Sequence, residues 1–307
     1  MKMNLANIKK AKKLLYKREC IAIPTETVYG LAGNAYSDQA CQKIYKLKKR
    51  PKNNPLIVHY LNIQRLKKDC HLNNDFIKLY KKFCPGPLTF VLKKNKKTRI
   101  DSLATAKLNT VAIRFPKHKV VRKLLKLIDF PLAMPSANRS SYLSPINAND
   151  VYKEFKNKLN IIINGGKSKV GIESTVVDLT EKPRILRPGI ISYNEIKKFL
   201  KIELSEKKTK IRSPGMLKKH YSPGIPVVIG EKPRRKDHAY IFFGKKHFKK
   251  SNYFNLSKKS NLREAASNLY KTMRKIKDQG YKKIFVAKIP NLGPGIAIND
   301  RLTRASK

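Results

Sequence analysis

No apolar run in this chain approaches the roughly 20 residues that a membrane-spanning helix needs; the longest, such as Leu159 to Asn164 and Tyr240 to Phe243, are far shorter. The opening stretch MKMNLANIKKAKKLLYKREC is interrupted by lysines and lacks the apolar core and small-residue cleavage site of a secretory leader. It reads instead as an amphipathic first helix, with Leu5, Ile8, Leu14 and Leu15 as core positions. Cysteine is sparse: Cys20, Cys41, Cys70 and Cys84 are widely spaced with no CxxC, which points away from a zinc site or disulfide framework and toward the cytosol, with no tightly bound metal. Acids are scarce beside bases, 20 against 70, for a formal charge of +50. That charge attracts any polyanion. The lysines are nevertheless spread along the chain in pairs such as Lys9-Lys10, Lys93-Lys94 and Lys258-Lys259, as solvated helix faces in a lysine-biased genome would have them. GxGxxG, HExxH and GxSxG are all missing. Gly165-Gly166-Lys167-Ser168 imitates the end of a phosphate loop, but the earlier glycine that such a loop requires is Ile161, so it reads as a turn.

What is present is a chain of 307 residues, 41% apolar, enough for one large core or two modest ones. Short apolar runs alternate with helical patterns up to about Leu200, the signature of a mixed α/β domain. Helices are expected after Ser37, with Ala40, Cys41, Ile44, Tyr45 and Leu47 on one face, and over Asp75 to Phe83. Strands are expected at Cys20 to Ile23, Pro55 to His59, Leu88 to Leu92, Thr110 to Phe115, Leu132 to Pro135, Asn160 to Ile163, Ser174 to Leu179 and Arg184 to Leu186. Charge and turn residues without periodicity then mark a linker. The expected division is residues 1–202 as a first domain, 203–226 as a linker or lid and 227–307 as a small Rossmann-like α/β domain. In the last, strands at Val227 to Ile229, Tyr240 to Phe243 and Ile284 to Ala287 accompany a helix from Leu262 to Lys277.

Five polar clusters sit at the ends of these elements. IPTETVYGLAGNA, Ile23 to Ala35, runs from an apolar strand into hydroxyls, a carboxylate and two glycines; it is a ligand-binding turn or an ordinary strand-to-loop junction. Lys48-Lys49-Arg50-Pro51-Lys52-Asn53-Asn54-Pro55 follows a helix, whose dipole accounts for the cations but not for two prolines stiffening a pair of asparagines; a preshaped cationic loop suits a triphosphate. In Thr110 to Pro116 an arginine, Arg114, interrupts an apolar strand and needs an anion, either from the protein or from a ligand. Pro135-Ser136-Ala137-Asn138-Arg139-Ser140-Ser141, leading to Ser144, binds a phosphate or simply turns the chain. The fifth is Gly171 to Val176, followed by Arg184 to Gly189. His71, His118, His238 and His247 join no cluster.

Taken together and in this order, PTETVYGL, KxRPxxNPLIVH, PGPLTFVL, VAIRFP, PSANxS, GIESTVVD and ILRPG resemble the YrdC-like domain of threonylcarbamoyl-AMP synthases. SPGMLKKHYSPGIPV and Ala297-Ile298-Asn299-Asp300-Arg301-Leu302 resemble the long form, with its additional C-terminal domain. The resemblance extends from about Leu14 to Arg304. It implies a twisted α/β sheet curled around a concave basic cavity. It also implies a cytoplasmic enzyme that makes threonylcarbamoyl-AMP and pyrophosphate from L-threonine, bicarbonate or CO2, and ATP with Mg2+. A partner transferase would then carry the threonylcarbamoyl group to tRNA, giving t6A.

By position, the resemblance gives Lys48 and Arg50 to the ATP phosphates as catalytic groups. Asn54, Thr110, Ser136, Asn138, Ser144, Arg187 and Tyr221 complete the nucleotide side. Thr27, His59, Arg114, the backbone of Met134, and Ser174 contact threonine, with Arg114 on its carboxylate. Thr25, Glu26 and Tyr29 are supporting candidates. Two departures stand out: Met134 replaces the usual alanine, and Arg139-Ser140-Ser141 follows Asn138 where a small residue, serine and glycine are usual. The C-terminal domain also looks short. The rivals are a nucleic-acid-binding module, with weak tRNA or RNA binding expected on charge alone, and a carbamoyl-adenylating enzyme of the hydrogenase-maturation type, whose upstream acylphosphatase and zinc-finger modules this sequence does not carry. No membrane partner is expected.

Overall fold

The computed structural model describes residues 5–204, 220–245 and 250–307. One mixed sheet of nine strands contains β1 (Ile21–Ile23), β2 (Gly30–Asn34), β3 (Ile57–His59), β4 (Leu88–Lys93), β5 (Thr110–Arg114), β6 (Leu132–Ala133), β7 (Thr175–Asp178), β8 (Arg184–Arg187) and β9 (Glu203–Leu204). Its order is β1-β2-β6-β3-β5-β4-β7-β8-β9. A second sheet holds β10 (Val227–Ile229), β11 (His238–Phe242), β12 (Tyr253–Asn255) and β13 (Lys283–Val286) in the order β10-β13-β11-β12, every pair parallel. The helices are α1 (Leu5–Tyr16), α2 (Asp38–Lys48), α3 (Ile63–Leu66), α4 (Asn74–Phe83), α5 (Lys119–Leu127), α6 (Ala148–Phe155), α7 (Tyr193–Lys197), α8 (Leu262–Asp278) and α9 (Pro294–Ala305).

Apolar periodicity explains the packing. Ile8, Ala11 and Leu15 of α1 and Val120, Val121, Leu124 and Leu125 of α5 recur at helical spacing and are buried together against Ile21, Ile23, Ala32 and Leu132. A larger cluster runs from Leu31, Val58, Phe90 and Ile113 to Ala266, Leu269, Ile284 and Ile298, so one apolar network joins the two sheets. The asparagine and serine caps lie where helix starts require them: Ser37 accepts from the Ala40 amide, Asn73 from Phe76 and Asn261 from Arg263 and Glu264.

The structure departs from the sequence expectation in several places. Gly30–Asn34 is not a turn but β2, antiparallel to β1 with Ile23 opposite Gly30, so only Pro24 to Tyr29 remain as the connecting loop. A Cβ at residue 30 would stand 2.3 Å from the Met134 Cγ, so any larger residue there would displace the Met134 side chain. Asn160 to Ile163 forms no full strand; Ala22 merely exchanges hydrogen bonds with the Ile161 carbonyl and the Ile163 amide. Glu203 and Leu204, expected in a structureless linker, extend the large sheet beside β8. Pro214-Gly215, Met216 to Lys219 and His247 lie outside the described residues. Finally, α3, α5, α6, α7 and α9 form where no helix is read from the sequence, and β12 where no strand is. In α9 the Pro294-Gly295 start imitates a turn, yet proline fits the first position of a helix.

Candidate active site

The C-terminal ends of β3 and β5, the Pro24 to Tyr29 loop, the segment after β6, the residues before β7 and the end of β8 converge on a cavity of about 50 Å³. His220 and Tyr221 close it from the C-terminal side. An ordered water needs roughly 10–15 Å³ of such space, so the cavity holds a few waters' worth. It lacks the volume for a nucleoside triphosphate alongside Tyr221. Of the residues expected from the sequence, Thr27, Arg50, His59, Arg114, Met134, Ser136, Ser174, Arg187 and Tyr221 line it.

Arg114 is 4% exposed and fully engaged: Nη2 donates to Glu26 Oε1 at 2.7 Å, Nη1 to Thr27 Oγ1 at 2.8 Å and Nε to the Gly86 carbonyl at 3.3 Å. A protein carboxylate is therefore its partner here. Burial alone would raise the Glu26 carboxyl, but the Arg114 charge and hydrogen bond outweigh it and hold the group below the usual carboxylate range. Burial, reinforced by Arg114, pushes His59 down to about 3, so its ring is neutral. Ser174 Oγ lies 2.7 Å from Thr89 Oγ1 and accepts from Arg187 Nη2 at 3.1 Å.

The other side is built differently. Helix α2 ends as Lys49 turns left-handed at φ 49°, and this turns the chain so that both Lys48 and Arg50 point inward and are buried. Lys48 Nζ donates to the carbonyls of Ser136 at 2.6 Å and Asn138 at 2.5 Å. Arg50 donates to the Asn54 carbonyl at 2.9 Å, Asn54 Oδ1 at 2.6 Å and the Pro55 carbonyl at 2.8 Å. Neither has a carboxylate within ion-pair distance among the described residues. Burial, with Arg50 adding repulsion, pushes the Lys48 ammonium well below its usual range, and burial brings Arg50 down to about 10.

Lys48, Asn54, Asn138 and Ser144 stand behind the cavity wall rather than in it. Asn138 Nδ2 donates to the Arg139 and Tyr142 carbonyls at 2.7 and 2.9 Å, while Ser144 Oγ donates to Glu173. Thr110 is not brought to the cavity: it begins β5, four residues and about 13 Å from Arg114 at the strand's other end. Among the described residues no group of three His, Cys, Asp or Glu side chains could hold a metal, the four cysteines are free, and no helix is long and apolar enough to cross a membrane.

A family model described as telomere recombination (Sua5_yciO_yrdC) matches residues 13–189, and one described as the threonylcarbamoyl-AMP synthase C-terminal domain matches residues 191–307. The threonylcarbamoyl-AMP synthase of Pyrococcus abyssi is 35% identical, over 93% of this chain and 90% of its own. That of Bacillus subtilis is 34% identical, over 99% of this chain and 94% of its own. A crystal structure of P. abyssi Sua5 complexed with L-threonine superposes with a TM-score of 0.88, covering 100% of this chain and 96% of that one at 34% identity. The chain belongs to the threonylcarbamoyl-AMP synthase family, in its long form.

Both departures from the family pattern have a physical account. The Met134 side chain covers Gly30 and fills the wall between the cavity and the α1–α5 core. Ser141 takes φ 73°, the left-handed conformation that glycine adopts most readily. Sequence reasoning missed the roles of Glu173, Tyr270 and Arg301. Glu173 Oε2 accepts from Arg301 Nε at 2.9 Å and from the Tyr270 hydroxyl at 3.0 Å. Burial would raise its carboxyl, yet Arg301 and Arg187 bring it down to about 2. The Arg301 guanidinium also lies 5.0 Å over the Tyr221 ring. Glu173 stands in GIESTVVD and Arg301 in the terminal AINDRL, but they lie 128 residues apart, and only a buried acid in an acid-poor chain hinted at a partner.

Proposed function

We propose that Lys48 and Arg50 receive the phosphates of ATP, and that Arg114, Thr27, His59, Ser174 and the Met134 backbone hold L-threonine. The observation that carries this reading is a pair of buried cations that donate to carbonyl oxygens and have no carboxylate within ion-pair distance among the described residues. Two charges so placed lack the compensation that buried ions require. An incoming polyphosphate supplies it.

The chain makes threonylcarbamoyl-AMP and pyrophosphate from L-threonine, bicarbonate or CO2, and ATP. The threonine amine, as the free base, bonds to the carbon of CO2 and loses a proton, leaving a carbamate. One carbamate oxygen then attacks the α-phosphorus, and the bond to the β-phosphate oxygen breaks as pyrophosphate departs. The reaction asks for alignment and charge neutralisation, with no covalent intermediate on the protein. Mg2+ enters with the triphosphate.

In the proposed site, one guanidinium edge of Arg114 turns from Glu26 and Thr27 toward the threonine carboxylate. Asn54 steadies Arg50; Ser136, Asn138 and Ser144 shape the phosphate side, and Arg187 and Tyr221 meet the nucleotide. Thr110 would reach it only through rearrangement of its strand end. The proposal includes a concave basic cavity that opens as His220 and Tyr221 withdraw, a Rossmann-like role for the parallel sheet, a cytoplasmic location and a downstream transferase that delivers the product to tRNA. Mass spectrometry of the full chain with ATP, Mg2+, bicarbonate and threonine, with serine as control, tests the activity. Threonylcarbamoyl-AMP is expected only when all four are present, and pyrophosphate released equally without threonine would overturn the assignment.

A further inference from the structure

Lysine is abundant everywhere in this chain, but its acids are not evenly shared. Among the described helices of eight or more residues, α2, α4, α6, α8 and α9 each contain Asp or Glu, whereas α1 and α5 contain none. These two acid-free helices pack against each other. Their outward sides present Lys9, Lys13 and Lys17 in one row and Lys119, Lys123 and Lys126 in another, all exposed and none in an ion pair among the described residues. Residues four apart on a helix rise about 6 Å, and packed helices lie about 8–10 Å apart, so the face carries two rows of ammonium groups at near-regular spacing.

The two rows lead to a second cavity, remote from the catalytic one. The C-terminal ends of α1 and α5 meet where the Tyr16 ring packs edge-on against Phe130 at 5.1 Å and its hydroxyl donates to Asp129 at 2.8 Å. Beside them opens a cavity of about 460 Å³ lined by Arg18, Asn34, Tyr36, Asp38, Arg99 and Asp129, among others. Here the Arg99 guanidinium lies 4.8 Å over the Tyr36 ring at the cavity wall, and Asn34, Asp38 and Asp129 carry hydrogen-bonding groups around it.

We propose that the α1–α5 face and this cavity form an RNA-docking surface, with the lysine rows on successive phosphates and the cavity taking one unstacked base against Arg99 and Tyr36. Stacking on guanidinium planes and aromatic rings, with hydrogen bonds to base edges, is how unpaired nucleotides are read. A lipid surface fits less well, because Ile8, Ala11 and Leu15 of α1 and Val120, Val121, Leu124 and Leu125 of α5 are already buried in the core, and among the described residues of the two helices Tyr16 and Leu127 are the large apolar side chains left exposed to insert. An acidic protein fits less well too, since lysine is depleted from the cores of protein interfaces.

The test is fluorescence-anisotropy titration of the full chain with a transcribed tRNA over a range of salt concentrations. A quadruple variant, Lys9→Gln, Lys13→Gln, Lys119→Gln and Lys123→Gln, is compared with one that removes the same charge elsewhere, Lys78→Gln, Lys81→Gln, Lys271→Gln and Lys275→Gln. The patch variant is expected to weaken binding at least tenfold and to flatten the salt dependence by about 0.7–0.9 for each phosphate that it leaves without a lysine. The control variant is expected to change little. Arg99→Ala is expected to weaken tRNA binding while leaving a fully paired RNA duplex unaffected. Unchanged pyrophosphate release in every variant verifies that the site is intact. Equal weakening by the patch and control variants would overturn the docking face, as would tighter, equally patch-dependent binding to phosphatidylserine vesicles. Arg99→Ala acting alike on tRNA and duplex would remove the base-binding cavity.

Discussion

The two halves of the candidate site, one proposed for the amino acid and the other for the nucleotide, differ in what neutralises their cations. Arg114, on the amino-acid side, has a carboxylate in Glu26 and a hydroxyl in Thr27, all three within one domain's sheet and loop. Lys48 and Arg50, on the nucleotide side, have carbonyl and amide oxygens and, among the described residues, no carboxylate. A carbonyl dipole offsets part of the loss of hydration but not the charge itself. The first half is therefore electrically complete without a ligand; in the proposed site the second would become so when an anion enters. Construction differs in the same way. The amino-acid side rests on β1, β2 and β5, whereas the nucleotide side is closed by Tyr221 and tied through Glu173 to Tyr270 and Arg301 of α8 and α9.

The largest test of this contrast is Arg114→Met. Removing the guanidinium strands the buried Glu26 carboxylate, a loss of about 3–5 kcal/mol of stability, and threonine-dependent pyrophosphate release should disappear. The double variant Arg114→Met/Glu26→Gln separates the two effects: thermal melting should recover while activity does not. Recovery of both would mean that Arg114 serves the fold alone.

Lys48→Met and Arg50→Ala should act in the opposite sense. Each removes a charge-assisted phosphate contact, weakening ATP binding by about 1.5–3 kcal/mol, while relieving a buried, incompletely compensated cation. Melting temperature is thus expected to hold or rise in Lys48→Met. Calorimetric titration showing undiminished ATP affinity in both variants would erase the distinction between the halves. A smaller effect belongs to Tyr221→Ala, which deletes the ring beneath Arg301 and about 0.5–2 kcal/mol of cation–π contact. ATP affinity should fall less than in Arg50→Ala, and threonine affinity should stay the same.

Much of the amino-acid half can be read locally. Thr27 and Arg114 each sit in a short apolar-then-polar stretch whose strand character is plain, and a cation inside an apolar strand announces a partner without naming it. The sequence could not decide whether that partner was protein or ligand, because Glu26 and Arg114 are 88 residues apart. β2 was hidden because Gly30 and Gly33 imitate a turn; Gly30 instead leaves the space that the Met134 side chain occupies. The nucleotide half was legible as a cluster of cations, but not its closure. Glu173, Tyr270 and Arg301 meet only through the docking of two sheets, and no local pattern encodes that contact.

A pH dependence probes both halves at once. Burial pushes both His59, on the amino-acid side, and His220, on the nucleotide side, down to about 3. An unfolded histidine titrates near 6.5. Below that value the unfolded chain takes up a proton that the folded site refuses, so stability is complete above about pH 6.5 and declines as pH falls toward 3. The slope is about 1.4 kcal/mol per pH unit for each histidine once the unfolded form is charged. Glu173 adds a second, lower window. Its folded carboxyl is held at about 2, below the unfolded value of about 4.3, so its contribution is present above that range and is lost as pH falls through it. Melting temperatures measured from pH 8 to pH 3 should therefore hold above about pH 6.5, fall below it and fall more steeply still below about 4.3. His220→Gln should flatten the first fall and Glu173→Gln the second. If saturating ATP draws His220 out of the cavity into water, the ATP-bound parent should lose the His220 share of the slope and keep the His59 share. An identical slope with and without ATP would show that His220 remains buried when the nucleotide binds, and the closure of the nucleotide half would then be permanent.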